Sequence, residues 1–228
     1  MIFRDKHEPS VFPKILIATA MFASVLISYQ LVFFNKSDLM TSLQAYKIYG
    51  QSWRNNLLLF SFALYFLRLI FTLTVFYRRK LHWLEAIVIV NIMPFIFPYL
   101  IYVSGRVNTP VGWVEASGVG IYLVGSFLNS FSELTRFLWK RKKENQGRIY
   151  CEGLFRYAMH INYTGDVLIF TGMAMIAHSF HLMIIPALML LNFVFILIPL
   201  KSRYLRTKYK NEYLEYAART KKLIPGVY

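Results

Sequence analysis

The stretch LMIIPALMLLNFVFILIPL, Leu182 to Leu200, carries no charged residue and runs directly into Lys201, Arg203 and Arg206. As a helix rising 1.5 Å per residue it would reach about 28 Å, close to the ~30 Å of bilayer hydrocarbon. Working outward, further apolar runs lie at 14–34, 57–77, 84–104 and 113–134, with a shorter one at 163–180. The sequence therefore predicts an all-α fold, a polytopic transmembrane helical bundle of six spans with an amphipathic C-terminal tail. Pro94 and Pro98 favour a kink in the third span. The fifth run is short enough to be partly re-entrant, which leaves room for a seventh element. No repeat or linker divides the chain, so a single domain over 1–228 is expected.

Composition agrees: 57% of the 228 residues are hydrophobic and only 16% charged, against ~25% charged in soluble domains. A net charge of +15 would suggest nucleic acid in a soluble protein, but Lys and Arg fall in bands between the apolar runs. With a cytoplasmic N-terminus, that side collects the cations before the first span, Arg78-Arg79-Lys80, those from Arg136 to Arg156, and those from Lys201 onward. The opposite side receives Lys36, Lys47, Arg54 and Arg106. Twenty-one against four is a positive-inside bias that puts both termini in the cytoplasm. Membrane lipids, and no nucleic acid, are the expected surroundings of a monomer in the bacterial inner membrane or the endoplasmic reticulum. The single cysteine, Cys151, excludes an intrachain disulfide framework and a Cys-rich metal cage.

Ionisable groups inside spans are costly enough to be site candidates. Ser61, Tyr65, Arg68 and Thr72 share one helical face of the second span. Ser126, Asn129, Glu133, Arg136 and Lys140 do the same in the fourth, leading from the membrane into the basic layer. The simplest alternative is that Arg68 snorkels and Glu133 pairs with Arg136. The densest polar stretch runs from Arg148 to Asp166. There Asn162 can serve as an N-cap, and Asp166 suits the positive end of the macrodipole. Lys140 to Lys143, Arg148 and Arg156 can meet lipid headgroups. His160 alone is weak evidence for catalysis, and His178 and His181 lack a carboxylate spaced to complete a metal site, so no metal is expected. Gly118, Gly120 and Gly125 fit close helix packing rather than a nucleotide fingerprint. In the tail, Leu205, Tyr209, Tyr213 and Tyr216 form an aromatic stripe expected to lie against the membrane face.

From Asn129 to Asp166 the chain resembles the steroid 5-alpha-reductase family and the related sterol reductases and membrane methyltransferases. The resemblance rests on Asn129, Glu133, Arg148-Ile149, Gly153-Leu-Phe155, Tyr157 and Asn162-Tyr163-Thr-Gly165-Asp166. It is joined by Tyr65-Phe66-Leu-Arg68 in the second span, and by Tyr216, Leu223-Ile-Pro225 and Tyr228 in the tail. It implies an NADPH-dependent reductase of an activated carbon–carbon double bond, the enone of a steroid or other lipid-like substrate. The cofactor region would be about 126–228, with Asn129, Glu133, Arg148, Asn162, Tyr163 and Asp166 as cofactor residues. Lys140 would offer a cation to phosphate, and Tyr209 is the family's tail tyrosine. Tyr65 is the candidate donor to the substrate carbonyl, with Arg68 one turn away.

Three features depart from the pattern: no Glu occurs between Glu8 and Glu85 to partner the tyrosine, Met159-His160-Ile161 replaces Arg-His-Pro, and Leu205 replaces the tail histidine. An S-adenosylmethionine-dependent methyltransferase of the isoprenylcysteine or phospholipid type is the main alternative. Against it, the tail helix begins Lys201-Ser-Arg203 and has no acid before Glu212. A non-catalytic lipid-binding protein is the second alternative.

Overall fold

The computed structural model describes residues 10–33, 52–77 and 80–228. Of the charges weighed above, Arg4, Lys6, Lys36, Lys47, Arg78, Arg79 and Glu8 lie outside the described residues. Among the described residues every regular element is helical: α1 (Val11–Phe33), α2 (Ser52–Phe71, prolonged by a π turn, Thr72–Phe76), α3 (Trp83–Ser104), α4 (Trp113–Arg141), α5 (Ile161–Ile176), α6 (Ile184–Asn192), a π turn (Phe193–Leu197) and α7 (Ile198–Arg219).

Among the described residues, four helical stretches are long and apolar enough to cross a membrane: Val11–Phe33, Trp53–Phe76, Trp83–Ser104 and Phe180–Arg219. The expected six would need α4 and α5 as well. The polar stripe and small residues of α4 dilute its apolar content, and α5, with 16 residues, reaches only about 24 Å. The last stretch is 40 residues long; its uncharged part, Leu182 to Leu200, accounts for about 28 Å of helix, and the rest is a basic continuation.

The chain forms two compact units: Met1–Val119 with Gly172–Leu182, and Gly120–Thr171 with Met183–Tyr228. The first is built on α1, which packs mainly against α3 and less against α2. Ile17, Met21, Ser24, Ser28 and Leu31 recur every third or fourth residue and are buried, while Phe12, Ile15 and Phe22 on the same helix are exposed. A helix with exposed apolar side chains and buried serines is suited to hydrocarbon rather than water. The prolines of α3 explain Ser24. Pro98 has no N–H to give the carbonyl of Pro94, and that carbonyl accepts from the Ser24 hydroxyl instead. Phe62 of α2 stacks on Phe97 of α3, ring centroids 4.2 Å apart.

In the second unit, Gly125 of α4 and Gly165 of α5 bring two backbones together. A Cβ on Gly165 would stand 2.7 Å from the amide nitrogen of Asn129 and 2.7 Å from the carbonyl of Gly125. Gly120, by contrast, faces open space, so it takes no part in the packing expected of it. The aromatic stripe of α7 is also corrected. Tyr213 and Tyr216 are buried against Ile149 and Met159, with Leu205 and Tyr209 packed beside them. Apolar periodicity marks a face that leaves water, and here it leaves water for protein rather than for lipid. Lys210, at φ +47°, interrupts the helical path of α7.

Candidate functional site

Helical spacing on α4 and the glycine contact with α5 decide which polar groups of the second unit meet. Asn129, at the closest approach, donates through Nδ2 to the Asn162 carbonyl at 3.0 Å and to Asp166 Oδ1 at 2.9 Å. One turn on, Glu133 Oε1 accepts from Asn162 Nδ2 at 2.9 Å, and Oε2 is ion-paired with Arg136. Asn129, Glu133 and Asn162 are each at most 9% exposed, so the polar stripe of α4 is turned inward. Leu123, Val124, Phe127 and Leu138 of the same helix are exposed. The expected pairing of Glu133 with Arg136 is present, but the carboxylate also holds Asn162, so a surface ion pair does not account for it. Asn162 is not an N-cap. α5 begins at Ile161 and the Asn162 side chain reaches across to α4.

Lys140, Arg148 and Tyr209 form a second group in this unit. Lys140 Nζ donates to the Arg148 carbonyl and, at 3.1 Å, to the Tyr209 hydroxyl. The Arg148 side chain is 64% exposed, its Nε 3.7 Å from Glu212 Oε1. Glu212 also accepts from the Ile149 amide at 3.0 Å, so the tail supplies the carboxylate that anchors this rim.

Tyr163, the aromatic of the Asn-Tyr-x-Gly-Asp motif, lies between two other rings in sequence and space. Its ring is 5.4 Å from His160 and 4.5 Å from Phe193, nearly parallel to both. Lys201 Nζ stands 3.4 Å from its hydroxyl. Sequence reasoning gave His160 no role. The structure buries it to 1% exposure with neither ring nitrogen partnered among the described residues. Burial, aided by Lys201, Arg136 and Lys222, pushes its imidazole well below the usual range. The ring is therefore neutral near pH 7, one nitrogen a donor and the other an acceptor. No sequence signal distinguishes such a histidine from an ordinary core one. Its backbone is clasped by the tail: Met159 N–H donates to the Lys221 carbonyl at 2.8 Å, His160 N–H to that of Lys222 at 2.9 Å, and the Thr164 hydroxyl to that of Leu223 at 2.6 Å.

Tyr65 and Arg68 belong to the first unit. The Arg68 guanidinium lies 4.7 Å from the Tyr65 ring centroid, and the Tyr65 ring meets the edge of Phe97 at 5.5 Å. Ser61 and Thr72, which share their stripe, turn their hydroxyls back to the carbonyls of Leu57 and Arg68.

The first unit holds one polar cluster that the sequence did not reveal. Arg54, counted above among the cations of the side opposite the cytoplasm, is fully buried and gives Glu115 Oε1 two hydrogen bonds, at 3.0 and 2.8 Å. It also donates to the carbonyls of Val107 and Thr109. Glu115 Oε2 accepts from the Gly112 amide at 2.8 Å, and His178 Nδ1 lies 2.7 Å from Oε1. Such a cluster ties the Val107–Gly112 loop to the start of α4.

No curated protein matches the chain at a significant level. A family model described as "Protein of unknown function (DUF1295)" matches residues 67–220. The match takes in Arg68 and every cofactor candidate on α4, α5 and α7, and begins just after Tyr65. With well over half of its length covered, the chain belongs to the DUF1295 family, which is associated with steroid 5-alpha-reductase-like membrane proteins.

Proposed function

We propose that this protein is a membrane-embedded NADPH-dependent reductase that saturates an activated carbon–carbon double bond, the enone of a steroid or another lipid-like substrate. The observation that carries this reading is the hydrogen-bonded chain of amides and carboxylates formed by Asn129, Asp166, Asn162 and Glu133, all but Asp166 buried, followed along α4 by Arg136 and Lys140. A dinucleotide asks for this mixture. Amides and carboxylates suit ribose hydroxyls and the nicotinamide, and cations suit phosphate. The unpartnered buried atoms of His160 and Asn162 are a further sign of fit, because buried polar atoms ordinarily have partners. The family's association with steroid 5-alpha-reductase-like proteins agrees.

When bound, NADPH supplies the hydride. The chain's own residues orient and polarise. Asn129, Glu133, Asn162, Tyr163 and Asp166 hold the nucleoside portion, while Lys140, Arg148 and Tyr209 meet its phosphates. Tyr65 donates a hydrogen bond to the substrate carbonyl oxygen, where negative charge develops as the neighbouring double bond is reduced. The Arg68 guanidinium over its ring favours that donation by stabilising charge on the phenolic oxygen.

The same reading gives six spans, α4 and α5 joining the four apolar stretches, with both termini cytoplasmic in a bacterial inner membrane or the endoplasmic reticulum. It is supported by the positive-inside charge bias and by the exposed apolar face of α4. The protein acts as a monomer.

The test is thermal stabilisation of the detergent-purified protein by NADPH, NADH and S-adenosylmethionine against buffer. NADPH is expected to raise the unfolding temperature; a shift with S-adenosylmethionine alone would replace the reductase by a methyltransferase. Tyr65→Phe is expected to keep NADPH affinity and to lower enone reduction by roughly 100-fold or more. Full turnover in that variant removes Tyr65 from the reaction.

A further inference from the structure

Four buried side-chain atoms of the second unit meet no partner among the described residues: Nδ1 and Nε2 of His160, Oδ1 of Asn162 and Oγ of Ser202. Leaving such atoms unsatisfied costs their full desolvation, and a leucine or phenylalanine could fill the place of His160 without that cost. Core packing therefore does not explain the histidine, although its ring does stack on Tyr163. The hydrogen-bonding needs are mixed. Asn162 has committed Nδ2 to Glu133, so Oδ1 needs a donor. The neutral imidazole offers one donor and needs one.

The surrounding charge has a sign. Three cations act on His160: Arg136, Lys201 and Lys222. Arg136 is neutralised by Glu133. Lys201 contacts only the Tyr163 ring and hydroxyl, and Lys222 only the Tyr228 ring, through their ammonium groups among the described residues. Among the described residues, two cations without a carboxylate thus belong to the segments packed on His160: Lys201, whose Nζ is 3.4 Å from the hydroxyl of the ring stacked on His160, and Lys222, whose backbone carbonyl accepts from the His160 amide.

We propose that His160, Asn162, Lys201 and Lys222 form a subsite for a ligand group that carries an acidic oxygen beside a hydroxyl. The acid answers the lysines and the imidazole N–H. The hydroxyl answers Asn162 Oδ1 or the second imidazole nitrogen. Two sources share this chemistry, the ribose with its acidic substituent in a nucleotide cofactor and the glycerophosphate headgroup of an acidic lipid. The subsite rests on the reductase reading only for the choice between them.

The experiment uses the full chain in detergent and three probes: NADPH, S-adenosylmethionine, and phosphatidylglycerol in mixed micelles. His160→Phe keeps a ring against Tyr163 and deletes both nitrogens, whereas His160→Gln restores a donor and an acceptor. The expected result is an affinity for NADPH lower by about tenfold or more in His160→Phe, and largely recovered in His160→Gln. A loss confined to phosphatidylglycerol assigns the subsite to lipid. A loss confined to S-adenosylmethionine keeps the subsite and removes the reductase. If NADPH binds and neither variant changes the affinity for any probe, the reductase reading survives and the subsite is overturned. Failure of the unmodified protein to bind any of the three also overturns it. Should His160→Phe not fold, the double variant Lys201→Gln with Lys222→Gln carries the test: about a fivefold loss supports the subsite, and unchanged affinity for every probe sinks it.

Discussion

The two units each bury a carboxylate on α4 against an arginine, yet the two arrangements differ in completeness. Around Glu115 the needs are met: both carboxylate oxygens accept, and the Arg54 guanidinium reaches the carboxylate and two backbone carbonyls. Around Glu133 the network is open, since Asn162 Oδ1 and both nitrogens of His160 are left over. A closed cluster stabilises one loop geometry and has nothing to offer a ligand. An open one is held together well enough to persist and leaves directional groups for something else to satisfy. The contrast separates a structural clamp from the proposed binding site when residue types alone would not, because both contain Glu, Arg and His.

Breaking the closed cluster should have the largest effect. Glu115→Ala strands the Arg54 charge in the interior and is expected to destabilise the protein by roughly 3–5 kcal/mol, read by denaturant unfolding in detergent. The fraction still folded should bind NADPH normally. Breaking the open cluster should invert that pattern. Asn162→Ala or Glu133→Ala is expected to weaken NADPH by about 10- to 100-fold, the worth of a hydrogen bond to a charged group, with a smaller loss of stability. Unchanged affinity in both would mean that the Glu133 network is a second clamp. Gly165→Ala tests the helix contact that builds the open cluster, because its methyl group would crowd the Asn129 amide at 2.7 Å. A loss of about 1–3 kcal/mol is expected, accompanied by weaker NADPH binding as Asn129 is displaced. The smallest effect belongs to the exposed rim. Lys140→Gln should weaken NADPH by about threefold, in line with a solvent-screened ion pair, and the difference should fade as salt is raised.

What could be read in advance followed what is local in the chain. The apolar runs and the stripe Asn129, Glu133, Arg136 and Lys140 are statements about helical period, and the structure shows the helices and buries Asn129 and Glu133 of that stripe. The Arg54, Glu115 and His178 cluster joins residues more than sixty positions apart, and no period encodes that. The tail failed for a different reason. Leu205, Tyr209, Tyr213 and Tyr216 give the same apolar pattern whether the face meets lipid or the Ile149 and Met159 surface. Asn162 was misread because a polar residue near a helix start resembles a cap until a partner on another helix is known. His160 was legible only as a histidine; its burial and unpartnered nitrogens depend on three separate segments.

The clasp between Met159, His160 and the Lys221–Lys222 carbonyls has a consequence for biogenesis. Translation proceeds at about 5–20 residues per second, so the two strips of backbone leave the ribosome roughly 3–12 s apart. Through that interval the amides of Met159 and His160 have no tail to donate to, although α4 and the start of α5 are already made. The helices can therefore be delivered to the membrane in order, whereas the backbone beneath His160 closes only as a late, post-insertion step. A chain stalled between Leu200 and Lys221 would have its apolar helices made while the amides of Met159 and His160 still lacked their acceptors.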